Sequence, residues 1–340
     1  MKVKDLFEKV VTAKGVQPTA KKTAATAQLL EMIRTKCKNN FDAVASGRST
    51  PLYRSTNTQS VTQVSDYVFA DISARPTPRK SLTGSNYVLS YVSQSKAWKN
   101  VPKRDISSSC TPNFRDATQF SGTTWLIIPY DDVTKLAKCE GDFNYLMKDP
   151  ADGGDDGLLS KLGYLDEVID TARDAGFRYT NKDDEDDKQI QKENKAFNDM
   201  TGLSELITNP IFKLLPGSHR YSLEELDILS DCIEKLIYLF DDTASVVYKD
   251  NKYLRSLKRT LDDFEDNFNT RSLGEWFADN ITPAGLKIKV YKSYVGAKIP
   301  TDSEVWFEGS YIGIAADPGG FESTVDMLTS EWFKGIAKQV

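Results

Sequence analysis

Three short stretches carry side chains whose types and spacing could do chemistry. "STPLYRS" places Arg54 after Leu52 and Tyr53, in a short apolar run bounded by a proline and a Ser-Thr cluster. A guanidinium on such a strand is a planar fork of donors suited to diphosphate oxygens; a surface ion pair is the alternative. "KRDISSSC" sets three serines after a basic pair. If Ile106 opens a strand, alternation sends Ser107 and Ser109 to one face and Ser108 to the other, so that two hydroxyls share a cleft wall; a solvated turn ahead of Pro112 is the other reading. "IPTDSEVWFEG" sets Asp302 and Glu304 two apart, at the start of a strand running through Val305, Trp306 and Phe307. Carboxylates at that spacing face one side, where a glutamate can stabilise a developing cation or act as a base. Exposed strand-edge charges that oppose aggregation are the alternative there.

The elements that must position these residues follow from periodicity. Residues 1–44 read as helical: Leu6, Val10 and Val11 share a face, and after a Gly-Val-Gln-Pro break Leu29, Leu30, Ile33 and Cys37 continue the period. Residues 45–150 change character, with abundant Ser, Thr, Pro and Tyr and with "TTWLIIPY", whose Trp125 to Ile128 run reads as a buried strand. Residues 151–280 are acidic and helical. Near their start lies "DPADGGDDG", and they contain the run "NKDDEDDKQ", whose acidic stretch Asp183 to Asp187 reads as a solvated and mobile segment. In "YSLEELDILSDCIEKLIYLF", Ser222 and Glu225 fit a capping box, and Leu226, Leu229, Ile233, Leu236, Ile237 and Phe240 form an apolar stripe. Residues 281–340 return to strand chemistry, with Leu286, Ile288 and Val290 alternating with lysines, a second strand run from Glu304 to Ile314, and a closing helix near Glu322 to Ala337. The expected architecture is an α+β domain, residues 45–150 and 281–340, preceded by the helical segment and interrupted by a large acidic helical insertion at 151–280.

Composition narrows the function classes. A net charge of −5 across 340 residues, with 27% charged, gives no global field for nucleic acid or an anionic membrane, so neither sequence-specific nucleic-acid binding nor membrane association is expected. The four cysteines, Cys37, Cys110, Cys139 and Cys232, lie far apart without a CxxC pair, and His219 is the one histidine. No metal site assembles by spacing, and free thiols in a reducing compartment are expected. "MKVKDLFEKVV" lacks an apolar core of the signal-peptide kind, and no run has the length of a membrane span; cytosolic synthesis is the expectation.

Arg, then Ser-x-Ser, then Glu, in that order on separate strands, resembles the arginine-serine-glutamate class of ADP-ribosyltransferases. "PLYRS" resembles the strand of that class ending in aromatic-Arg, "ISSSC" its serine strand with Ser107 at the leading position, and "DSEVWF" its glutamate strand with Glu304 at the catalytic position. The stretch "SNYVLSYVSQSKAWKNVPKRDISSSCT" also resembles a group of bacteriophage proteins. The resemblance covers about residues 45–150 and 285–315 and implies a split β-sheet core. It implies NAD as substrate without a metal, and transfer of ADP-ribose to a host macromolecule. Arg54, with Tyr53 beside it, would hold the diphosphate; Ser107 and Ser109 would order the pocket around nicotinamide. Glu304 would stabilise the oxocarbenium-like transition state, and Asp302 would take the other catalytic position, two residues before it, which bears on the choice of acceptor. The loop Lys292 to Pro300, with Tyr294, would face the acceptor. The implied partners are a host protein acceptor or virion subunits, and the implied location is the host cytoplasm or the virion. Asp302 stands where arginine-modifying members carry Glu or Gln, and no glycine follows Arg54. The alternative is a virion-associated structural or interaction protein that keeps the fold without activity. A nuclease finds little support in a chain with one histidine and no clustered acidic motif.

Overall fold

The structure is a computed structural model, and it describes residues 20–56, 62–64, 67–74, 77–79, 86–120, 122–143, 158–180, 202–215, 219–242, 252–268, 272–316, 328 and 331–340. The first apolar face at Leu6 to Val11, the Gly-Asp run before the insertion, the acidic run at Asp183 to Asp187 and the start of the closing helix lie outside the described residues. The chain divides into two compact units. One comprises Met1–Pro78, Asn100–Phe143 and Lys287–Val340; the other comprises Arg79–Lys99 and Asn144–Leu286.

The first unit is α+β and built on two antiparallel sheets. Its helices are α1 (Ala20–Lys36) and α2 (Lys38–Ala45), and its first strands are β1 (Leu52–Thr56), β2 (Thr62–Val64) and β3 (Tyr67–Ile72). In the other unit lies α3 (Asn86–Gln94). The first unit then continues with β4 (Ser108–Cys110), α4 (Phe114–Thr118), β5 (Thr123–Pro129) and β6 (Leu136–Glu140).

The run Trp125 to Ile128 is buried residue after residue because β5 lies inside a sheet covered on both faces. The five-stranded sheet takes the order β1-β5-β9-β3-β2, where β9 is Tyr311–Ala316. Arg54 lies opposite Trp125, and Ile127 opposite Gly313. A Cβ at Gly313 would come within 3.0 Å of Trp125 Cε3, so the indole needs glycine beneath it.

The four-stranded sheet takes the order β4-β8-β6-β7, with β7 at Lys289–Tyr291 and β8 at Ser303–Phe307. The two sheets meet where Tyr53 and Thr111 exchange backbone hydrogen bonds of 2.7 and 2.9 Å. One continuous core receives Cys110, Leu136, Val305 and Phe307 from the smaller sheet and Leu52, Trp125 and Ile314 from the larger. Phe41 and Phe333, the latter from α10 (Glu331–Ala337), complete it. Each fully buried Leu, Val, Ile or Phe contributes roughly 1.5 to 3 kcal/mol relative to exposure.

Among its described residues the second unit is helical. It holds α3 with α5 (Leu158–Thr180), α6 (Leu203–Ile207), α7 (Leu223–Asp242), α8 (Lys252–Phe268) and α9 (Leu273–Asn280). Ser222 and Glu225 form both halves of the capping box at the start of α7: the Glu225 amide donates to the Ser222 hydroxyl at 3.0 Å, and the Ser222 amide to the Glu225 carboxylate at 2.6 Å. Leu226, Leu229, Ile233, Leu236 and Phe240 are buried along one stripe, with Ile237 half-buried. Gly176 lets α5 approach α6, since a Cβ there would meet the Ile207 carbonyl oxygen at 2.5 Å.

Candidate active site

The strands carrying the three chemical stretches are neighbours. β4 lies between β1, which it meets at Tyr53 and Thr111, and β8, with which it pairs in the register Ser108 to Phe307, Ser109 to Trp306 and Cys110 to Val305. Opposed residues share a face, so Ser109 stands on the side of β8 that carries Trp306 and Glu304, and Ser108 stands on the other with Phe307. One step beyond the last paired position, Thr111 lies level with Glu304. Arg54 is half-buried on β1, and its Nη1 donates to the Ser109 carbonyl at 3.3 Å.

Several expected placements are corrected. Ser107 is not on the strand, which begins at Ser108. The Lys103 carbonyl accepts both the Ser107 amide, at 3.0 Å, and the Ser107 hydroxyl, at 2.7 Å. That four-residue turn holds the serine out of extended geometry, and its buried hydroxyl is consumed within its own loop. Asp302 lies in the turn before β8, exposed, with its carbonyl accepting the Gly141 amide at 2.6 Å, so it does not share a strand face with Glu304. Tyr53 is buried in the core, edge-on to Phe114 at 5.5 Å, and offers no ring to a cleft. Tyr294 is also buried; its hydroxyl donates to the Thr50 carbonyl at 2.6 Å and its carbonyl accepts from the Ser49 hydroxyl at 2.7 Å, a packing role.

Glu304 is held from two sides. It sits on β8 opposite Cys139, and both carboxylate oxygens are engaged. Oε1 accepts from Arg104 Nη2 at 2.7 Å and Oε2 accepts from the Phe143 amide at 2.9 Å. The two side chains are only 10% and 17% exposed. The Arg104 guanidinium also lies 4.3 Å from the Phe143 ring centroid and 5.0 Å from that of Trp306, and these two rings meet edge-on at 5.7 Å. An ion pair walled by aromatic faces is shielded from water and reinforced by the ring quadrupoles.

Neighbouring thiols report the local charge. Burial pushes Cys110 up to about 12, with Arg54 pulling it down and Glu304 pushing it up to a lesser degree. Cys139 is pushed up to about 12, first by burial and then by Glu304. Both are protonated at neutral pH and act as small apolar residues, not nucleophiles. All four cysteines are buried and unpaired. Among the described residues, no group of three or more His, Cys, Asp or Glu side chains could hold a metal ion, and no helix is long and apolar enough to cross a membrane.

Arg104, Phe143 and Trp306 carry no motif of their own. The signal that could have drawn attention to Arg104 is the basic pair Lys103–Arg104 immediately before the serines, since a guanidinium four residues from a chemical strand is within reach of it. In comparisons with known proteins, no family model, no curated protein and no solved structure matches the chain.

Proposed function

We propose that the chain is a mono-ADP-ribosyltransferase that takes ADP-ribose from NAD, on the fold of the arginine-serine-glutamate class. The observation that carries this reading is the adjacency of β1, β4 and β8, which sets Arg54, Ser109 and Glu304 on three successive neighbouring strands. Two antiparallel sheets meeting at Tyr53 and Thr111 support a split-sheet core of that kind. Arg54 holds the diphosphate. Ser109, with Thr111 two residues on, takes the place first given to Ser107 beside the nicotinamide ribose. Glu304 faces the anomeric carbon. The bond between that carbon and the nicotinamide nitrogen breaks, and nicotinamide leaves as a neutral molecule with the bonding pair. A lone pair of the acceptor then forms the new bond to the carbon, and the acceptor gives up a proton. A carboxylate close to the oxocarbenium-like centre stabilises its positive charge, and fixing diphosphate and ribose supplies orientation. The acceptor is a host protein, met in the host cytoplasm by a phage-encoded enzyme that is made there or delivered from the virion.

A second reading is favoured by one observation. Both oxygens of Glu304 are engaged by protein groups and its charge is matched by Arg104, as in a retained fold that serves a virion assembly without turnover. Incubation with NAD labelled in the adenylate moiety and a bacterial lysate separates the two. Release of nicotinamide with label transferred to protein, lost in Glu304→Gln under conditions where the variant keeps its exchange protection along β5, supports the transferase. No release above the buffer rate leaves the structural reading.

A further inference from the structure

The groups that engage Glu304 belong to a longer arrangement. Glu304 and Trp306 in β8, and Glu308 just past its end, occupy alternate positions, and each is tied to the segment Pro102–Arg104. Arg104 Nη2 donates to Glu304, Trp306 Nε1 donates to the Pro102 carbonyl at 3.0 Å, and the Lys103 amide donates to Glu308 Oε1 at 2.5 Å. Ser107 closes the segment on itself through the Lys103 carbonyl. The segment runs along one face of β8, the face shared with Ser109.

We propose that Pro102–Ser107 is a strap over the Glu304 face, that its three ties release together, and that Arg104 acts as an internal cation masking the carboxylate. The inhibitory part rests on the transferase reading. A carboxylate stabilises a developing cation through its net negative charge, and a guanidinium 2.7 Å from Oε1 cancels much of that charge at the substrate. Substrate entry therefore requires Arg104 to swing away with the strap. Lys103 and Glu308, which make one tie, are both exposed, whereas Pro102, Arg104, Asp105, Ser107 and Trp306 are buried, so release begins at the Glu308 tie and must carry the buried ties with it; the strap carries no strand pairing of its own before Ser108.

Glu308→Ala removes one tie at an exposed site without touching the ion pair, and Trp306→Phe removes the Nε1–H donor while keeping an aromatic face beneath Arg104. Carbodiimide-driven coupling of glycine ethyl ester, read by peptide mass spectrometry with exposed Asp302 as internal reference, measures access to the Glu304 carboxyl. Loss of one hydrogen bond to an ionised carboxylate is expected to raise Glu304 labelling about tenfold in Glu308→Ala, with a smaller rise in Trp306→Phe. Nicotinamide release from NAD should rise with it. Unchanged Glu304 labelling in both variants overturns the strap. Higher labelling with turnover below that of the unaltered protein overturns the masking role and makes Arg104 a support of Glu304. Higher labelling with no nicotinamide release from any of the three proteins removes the transferase reading, while the strap as a cover over Glu304 stands.

Discussion

Glu304→Gln tests the ion pair itself, and its main effect should be on stability before any effect on chemistry. The substitution preserves shape and leaves the Phe143 amide an acceptor, but it strands the Arg104 guanidinium at a site where its side chain is 10% exposed. At an effective dielectric of about 20, two charges ~4 Å apart attract by about 4 kcal/mol, and breaking a buried pair from one side costs about 3 to 5 kcal/mol because the other charge stays buried. Glu304→Gln and Arg104→Met should therefore each destabilise the sheet unit by about 3 kcal/mol. The double variant Arg104→Met/Glu304→Gln, which keeps an acceptor for the Phe143 amide, should lose no more than either single variant, since no charge is then left without its partner. The two compact units make a single melting temperature a poor measure, so the assay is native-state hydrogen exchange at the amides of β5 and β9, which open when the sheet unit unfolds. Raising the salt from 0.1 to 0.5 M should change the coupling little, because a walled pair is screened far less than a surface one. Single substitutions costing under about 1 kcal/mol each, with additive effects, would show that Arg104 and Glu304 behave as an ordinary surface pair.

Under the transferase reading, Arg54→Lys should weaken NAD binding measured by titration calorimetry with a non-hydrolysable analogue, because an ammonium cannot make two parallel bonds to diphosphate oxygens; equal affinity would return Arg54 to a surface charge. Ser107→Ala should lower sheet-unit stability by about 0.5 to 1.5 kcal/mol through loss of the bond to the Lys103 carbonyl, with NAD affinity unchanged, whereas Ser109→Ala should act on affinity. The opposite pattern in a side-by-side titration would restore Ser107 to the cleft. Ser222→Ala should cost the helical unit about 1 kcal/mol in exchange protection along α7. Burial pushes the Glu225 carboxyl up, but the Ser222 amide and His219 outweigh it and hold it below its ordinary value of 4.5. A depressed folded value means stability that is present above 4.5 and lost as the pH falls through the folded value, so Glu225→Gln should flatten the acid loss of α7 protection in that window. An unchanged acid profile would count against the pairing.

Features encoded by neighbours in the chain were the legible ones. The stripe of α7 and its capping box follow from spacing within one helix, and the buried run of β5 from four consecutive large apolar residues. The segment at Asn86 to Gln94 lies in the stretch whose composition predicts strands, yet it is a helix grouped with the helical unit and packed at the start of α7, where Tyr87 meets Tyr221 at 4.7 Å and Gln94 donates to the Tyr221 carbonyl at 3.2 Å. Its β-branched and aromatic content, two valines and two tyrosines in nine residues, points to a strand on propensity alone; burial along every residue from Asn86 to Ser93 overrides that preference.

The chemical stretches were legible as strands and not as surfaces. Arg54, Ser109 and Glu304 do fall on strands, because β-propensity is local, but what covers each strand face is set by contacts across hundreds of residues. Arg104 and Glu304 are 200 residues apart, and Phe143 and Glu304 are 161 apart. Alternation also depends on where a strand begins. A start at Ile106 pairs Ser107 with Ser109, whereas the observed start at Ser108 leaves Ser109 with Thr111 as the hydroxyls nearest Glu304's side of β4, and one turn at Lys103 makes that difference. The same turn presents Arg104 to the carboxylate. The basic pair and the serine triplet are thus one device: the Lys103 carbonyl fixes Ser107, the fixed turn aims Arg104, and Arg104 sets the charge that Glu304 presents. Under the transferase reading, turnover of NAD at this site depends on whether that turn can release its guanidinium.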